Sequence, residues 1–86
     1  MLTLPDFNRL KVFHFVYKTG SIQKAAEEMH VTRSAISQAI KALEIELDCE
    51  LFVRTNKTII PTIQAERLSQ TISPFIRELG ETLIFF

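Results

Sequence analysis

The sequence predicts a mainly α domain: three short helices on one core, a small β-hairpin, and a long final helix. Three observations carry this prediction. Apolar residues recur at helical spacing over residues 5–47 but are interrupted twice, at TGS (19–21) and at HVT (30–32). Two β-rich stretches, CELFVRT and TIIPT, then flank Asn56-Lys57. After Thr62 the helical spacing resumes and runs to the last turn of the chain. With 86 residues, nearly half of them apolar, the chain suffices for one compact domain.

Taken in order, Pro5 and Asp6 suit the first turn of a helix, where proline loses no hydrogen bond and an acid complements the dipole. Leu10, Phe13, Val16 and Tyr17 form its apolar stripe. Ser21 can cap a second helix that turns Ile22, Ala25, Ala26 and Met29 inward, and Thr32 a third with Ile36, Ile40, Leu43 and Leu47 inward. Residues 51–54 and 58–60 read as the hairpin, with Asn56-Lys57 as its turn and Pro61 marking the end of the second strand. Thr62 can cap the final helix. Its stripe of Ala65, Leu68, Ile72, Phe75 or Ile76, Leu79 and Leu83 spans about five turns. Pro74 lies inside it and is expected to bend it or free one carbonyl.

The break after Met29 is the informative one. Two helices joined by so short a turn make a rigid V that holds the second helix out from the core, a shape suited to the major groove of duplex DNA. Ala25 and Ala26 are small where the helices must cross, and Val31 is expected to plug the gap between them. On the outer face of the third helix, Arg33, Ser37 and Lys41 fall one turn apart, with Ser34, Gln38 and Lys41 as the adjacent stripe. Every member can hydrogen-bond and none is acidic. Arg33 can take a guanine edge, Gln38 an adenine edge, and Ser34 or Ser37 a base or a phosphate, each base contact discriminating by about 1–3 kcal/mol. Thr32 is expected to cap the helix and, with the free amides beside it, to favour a phosphate. On these residues alone a plain solvated helix face stays open as the alternative.

Charge, cysteine and histidine usage exclude other classes. Ten Lys and Arg balance ten Asp and Glu, so attraction to a polyanion rests on distribution: residues 29–43 hold Arg33 and Lys41 and no acid. One cysteine, Cys49, rules out an internal disulfide and fits a reducing cytoplasm, where it is expected to be a small, partly buried residue. The longest apolar runs, such as LIFF at 83–86, fall far short of a membrane span, and the N-terminus does not read as a signal peptide. His14 and His30, sixteen positions apart with one distant Cys49, do not have metal-site spacing. His30 reads as a turn residue and His14 as part of a helix flank. Glu44, Glu46 and Glu50 read as a solvated face. The expectation is a non-enzymatic domain with no cofactor and no metal.

The stretch GSIQKAAEEMHVTRSAISQAIKALEIELDCELFVRTNKTIIPT closely resembles the N-terminal winged helix-turn-helix of LysR-type transcriptional regulators. The shared marks include Gly20-Ser21, Ala25-Ala26, Val31-Thr32, Ala35-Ile36-Ser37, Ile40, Leu43-Glu44, Leu47, Leu51-Phe52, Arg54 and Thr62. The resemblance implies a winged helix-turn-helix over residues 1–61 and a linker, or dimerisation, helix over 62–86. It implies sequence-specific binding of double-stranded DNA in bacterial transcription, through a recognition helix in the major groove of a two-fold operator. The hairpin would be the wing, with Lys57 and Arg54 reaching the DNA, Arg54 having bracing of the fold as its alternative. A homodimer would form through Ala65, Leu68, Ile72, Phe75, Ile76, Leu79 and Leu83. Small-molecule effectors act in this family through a separate C-terminal domain that these residues do not include, so the chain is expected to be a DNA-binding fragment.

Three positions depart from the family's pattern. Asp48 stands where a glycine usually follows the recognition helix, Thr58 where a glycine is common in the wing, and Arg33-Ser34 where Gln-Pro is frequent. The last change leaves the fold intact, but no operator sequence carries over from the family across it. A protein–protein interaction module built on the C-terminal apolar stripe stays open as the alternative function, since no other element of so short a chain is expected to cover that stripe.

Overall fold

A computed structural model describes residues 4–55 and 58–86. The elements run α1 (Phe7–Thr19), α2 (Ile22–Met29), α3 (Arg33–Leu47), β1 (Phe52–Arg54), β2 (Ile59–Pro61) and α4 (Ile63–Leu83). This is the winged helix-turn-helix with a long final helix that the sequence predicts. The expected hairpin turn at Asn56-Lys57 lies outside the described residues.

Each helix starts where its capping chemistry is. Asp6 lies outside α1, not in its first turn, because its carboxylate accepts from the Asn8 N–H at 2.7 Å and so acts as the N-cap. Ser21, Thr32 and Thr62 cap α2, α3 and α4 as expected, accepting from the backbone N–H of Lys24, Ala35 and Ala65. Thr62 also donates to the Glu50 carbonyl at 2.7 Å, which fastens the start of α4 to the entry of the hairpin.

The ends of α2 and α3 explain how the chain turns without glycine. His30 (φ 57) and Asp48 (φ 54) both adopt the left-handed conformation. In each case the next amide reaches back five residues, Val31 N to Ala26 O at 3.0 Å and Cys49 N to Glu44 O at 3.1 Å, closing the same C-terminal motif. This geometry corrects the role expected for Val31. Its amide is spent on the cap and its side chain points outward, 45% exposed, while Ala25, Ala26 and Ile36 close the crossing by direct contact. Left-handed backbone strains a residue with a Cβ, and an acid opposes the dipole at a helix C-terminus. Asp48→Gly should therefore raise stability by about 1 kcal/mol, a Tm gain of about 4–8 °C in thermal unfolding; an unchanged or lower Tm would refute the strain.

The core consists of Val12, Phe13 and Val16 from α1, Ala25 and Ala26 from α2, Ile36, Ile40 and Leu43 from α3, with Leu51 and Ala65. Phe13 is fully buried, its ring 5.9 Å from Tyr17 and 5.7 Å from Phe52. Leu51, expected in the first strand, precedes it and is fully buried as a core plug; the strands pair antiparallel with Phe52 opposite Pro61 and Arg54 opposite Ile59.

The reading of Glu44 as a solvated residue is corrected. Its carboxylate turns back under α3 and accepts from the backbone N–H of Leu51 at 2.7 Å and of Phe52 at 3.3 Å, locking the hairpin entry to α3. Its neighbour Glu46 is drawn off to an ion pair with Arg9. Cys49 is partly buried as expected, and burial, followed by Glu44 and Asp48, pushes its thiol pKa up.

His14 is buried, not a flank residue, and its Nδ1 lies 3.0 Å from Ser73 Oγ on α4. Burial, then Lys18 and Arg77, hold its pKa below the ordinary 6.5, with Glu28 opposing. In the unfolded chain His14 takes up a proton as pH falls through 6.5, whereas the folded chain resists until lower pH. The unfolded state then binds more protons, so stability is lost as pH falls below about 6.5. Urea unfolding between pH 7.5 and 5.5 should show this loss in the native chain and less of it in His14→Gln. Parallel pH curves for the two would contradict the assignment.

Contact between α1 and α4 also corrects the expectation that nothing covers the C-terminal stripe. Ala65 is fully buried in the chain's own core, and Leu68 and Ile72 pack against that core, because α4 returns along α1. Ile76 and Leu79 are half-buried; Phe75 and Leu83 are 51% and 56% exposed, the Phe75 ring standing edge-on to Phe7. Pro74 sits within α4, which continues as a helix across it to Leu83.

Candidate nucleic-acid interface

The outer face of α3 is where the predicted polar residues come together. Thr32 is the N-cap, and Arg33, Ser34, Gln38 and Lys41 are exposed, with Ser37 half-buried at the foot of the hairpin. Two hydrogen bonds organise them. Gln38 Nε2 donates to Ser34 Oγ at 3.2 Å, one turn back. Arg54 Nη2, from the end of β1, donates to Ser37 Oγ at 3.3 Å, so the hairpin is strutted against α3. Arg54 thus braces the fold, and its guanidinium remains exposed with further donors to offer. Lys57 lies outside the described residues.

Electrostatics follow from where the acids go. The α3 acids nearest this face are engaged elsewhere, Glu44 with the backbone of residues 51 and 52 and Glu46 with Arg9. Arg33 and Lys41 form no ion pair among the described residues. Residues 33–41 of α3 thus carry Arg33 and Lys41 and no acid, on a chain of zero formal net charge.

Two open grooves flank this face. One, of about 610 Å³, runs between α3 and the hairpin and is lined by Ser37, Gln38, Lys41 and Arg54, by the acids Glu44 and Glu50, and by Ile40 and Phe52 among its apolar residues. The other, of about 270 Å³, lies between Arg33, Arg54, Thr55 and Thr58 on one side and Ser21 and Gln23 at the start of α2 on the other. Sequence reasoning left Ser21 and Gln23 out of this site. The capping role of Ser21 is legible locally, but its position opposite the wing depends on how α2 crosses α3. Thr55 and Thr58 close the hairpin loop, the Thr58 N–H donating to Thr55 Oγ1 at 3.1 Å and the Thr55 N–H to Thr58 O at 2.8 Å. Among the described residues no three His, Cys, Asp or Glu side chains converge as metal ligands, and no helix is long and apolar enough to cross a membrane.

Comparison with known proteins bears on this geometry. The family model described as "Bacterial regulatory helix-turn-helix protein, lysR family" matches residues 7–66. The chain is 36% identical over 78 residues to the uncharacterized HTH-type transcriptional regulator YbdO of Escherichia coli, and 37% identical over 76 residues to the HTH-type transcriptional activator AmpR of Yersinia enterocolitica. Those matches cover 91% and 88% of this chain but 26% of either relative, so the chain spans only that share of their length. Among solved structures, a probable transcriptional regulator from Pseudomonas aeruginosa superposes with TM-score 0.86 at 38% identity, over 92% of this chain and 26% of that one. The CbnR DBD–DNA complex superposes with TM-score 0.80 at 26% identity, over 91% of this chain and 90% of that one.

Proposed function

The chain belongs to the lysR family of bacterial regulatory helix-turn-helix proteins, and from that premise we propose that it binds double-stranded DNA sequence-specifically in transcriptional regulation. In this reading α3 enters the major groove of one half of a two-fold operator. Arg33, Ser34, Ser37, Gln38 and Lys41 supply base and phosphate contacts, Thr32 a phosphate contact, and Arg54 and Lys57 the wing. The observation that carries the reading is the outer face of α3 from Arg33 to Lys41, which is polar, able to hydrogen-bond and free of acids. Shape complementarity adds to it: a helix held out from the core matches the width of the major groove.

Fluorescence anisotropy with labelled duplexes at two salt concentrations tests binding directly. Affinity should fall steeply with salt, as it does when Lys and Arg displace counterions from phosphates. No binding to any duplex at low salt would overturn the proposal.

The second half of α4 extends the proposal to a homodimer. Phe75 and Leu83 are more than half exposed and Ile76 and Leu79 half-buried, so a second copy of α4 laid along them would cover apolar surface at a favourable free energy. A two-fold dimer would place two α3 helices on successive half-sites. Sedimentation at high micromolar concentration should give a dimer that Leu83→Glu weakens. A strict monomer would favour instead a module whose α4 binds a different protein. Small-molecule effectors, as in the family at large, would act through a further domain.

A further inference from the structure

The two hydrogen bonds on α3 say more than that the face is polar. Both end on a serine, and in both the serine oxygen is the acceptor: Gln38 Nε2 donates to Ser34 Oγ and Arg54 Nη2 to Ser37 Oγ. A hydroxyl that accepts in one direction carries its own proton away from that donor. Among the described residues no acceptor takes the proton of either hydroxyl, so both are left to donate outward. Arg33 and Lys41, exposed on the same face, are donors only. One carbonyl acceptor remains, Gln38 Oε1, and it is held in place because one Nε2 proton is already committed to Ser34. The remaining Nε2 proton and Oε1 form a donor–acceptor pair, the pattern that matches N7 and N6 of adenine.

Resting on the DNA-binding reading above, we propose that α3 selects half-sites that place guanine O6 and N7 or thymine O4 opposite Arg33, Ser34, Ser37 and Lys41, and an adenine opposite Gln38. Ser34 is the positioning residue for the Gln38 amide, and Arg54 is the positioning residue for the Ser37 hydroxyl. Gln-Pro at residues 33 and 34, the pair frequent in the family, would lack both the guanidinium and the Ser34 acceptor. The departure at Arg33-Ser34 is therefore what shifts the code toward donors.

The test begins with duplexes selected from a random pool by the 86-residue chain, then changes single atoms of the bases. Replacing a contacted guanine by 7-deazaguanine removes one acceptor and should weaken binding about 5- to 150-fold. Replacing the adenine opposite Gln38 by unsubstituted purine removes the exocyclic amine and should weaken the native chain but not Gln38→Ala. Ser34→Ala should shrink the adenine-over-purine preference at the position facing Gln38, beyond any loss from the Ser34 hydroxyl's own contact, and leave the Tm unchanged, with Ser34→Thr restoring the preference. A merely structural role for Ser34 would move every sequence together. Selected half-sites that tolerate 7-deazaguanine, or whose contacted edges are exocyclic amines of adenine and cytosine, would overturn the donor code while leaving DNA binding intact. A pool with no enriched sequence would overturn the DNA-binding reading and the code with it.

Discussion

Arg33→Ala is expected to weaken binding to a preferred duplex by about 5- to 150-fold and to change binding to random-sequence duplex far less. Arg33 occupies the first helical position of α3, exposed and without an ion-pair partner among the described residues. The fold does not depend on it, since α3 is capped by Thr32 and anchored by Ile36, Ile40 and Leu43. Its planar guanidinium can span the two acceptors of a guanine edge, a contact that random sequence supplies only occasionally. Loss of one positive charge affects all duplexes alike and only modestly. Anisotropy with preferred and random duplexes at the same salt separates the terms. An equal loss on both would assign Arg33 to phosphate and not to a base.

Glu44→Ala should cost about 2–4 kcal/mol of stability, lowering the Tm by more than about 8 °C. The carboxylate is the acceptor for two part-buried backbone amides, those of Leu51 and Phe52, and alanine leaves both without it. Charge-assisted bonds of this kind are roughly twice as strong as neutral ones, and an unpaired buried donor adds its own desolvation cost. Glu44→Gln keeps an oxygen at the site, so a loss nearer 1 kcal/mol is expected. Glu46→Ala provides the contrast. Its ion pair with Arg9 is about a third exposed on either side, so its loss should cost no more than about 1 kcal/mol. Thermal unfolding of the three variants ranks them; equal losses at Glu44 and Glu46 would contradict the clamp.

The difference between these two glutamates shows where sequence reasoning stops. Both fall at surface-like positions of an amphipathic helix, and nothing within one turn distinguishes them. Glu44 acquires its partners only when the chain folds back at residues 51 and 52. What was legible was local. N-capping by Ser21, Thr32 and Thr62 depends on a side chain and an amide three residues on, and the inward stripes of α2 and α3 follow from helical period alone. The polar face of α3 was legible for the same reason. What was not legible depends on sequence-distant contacts: the Arg54–Ser37 strut joins residues 17 apart and the His14–Ser73 bond residues 59 apart. The return of α4 along α1, of which that second contact is part, is why Ala65, Leu68 and Ile72 belong to the chain's own core and the apolar surface left to a partner begins farther along α4. Val31 was misread for a subtler reason. Its hydrophobicity pointed inward, but with His30 left-handed and the Val31 N–H donating to the Ala26 carbonyl the residue is left 45% exposed.

The role proposed for α3, presented by the V of α2 and α3 and flanked by the wing, is to read the sequence of duplex DNA. Selection of bound duplexes from a fully random pool by the native chain, with Arg33→Ala carried through in parallel, tests it most directly. Enrichment of a two-fold motif by the native chain, with its information content reduced in Arg33→Ala at one base pair per half-site, is the predicted result. A native pool no more ordered than the input, or a motif that Arg33→Ala reproduces unchanged, would contradict it.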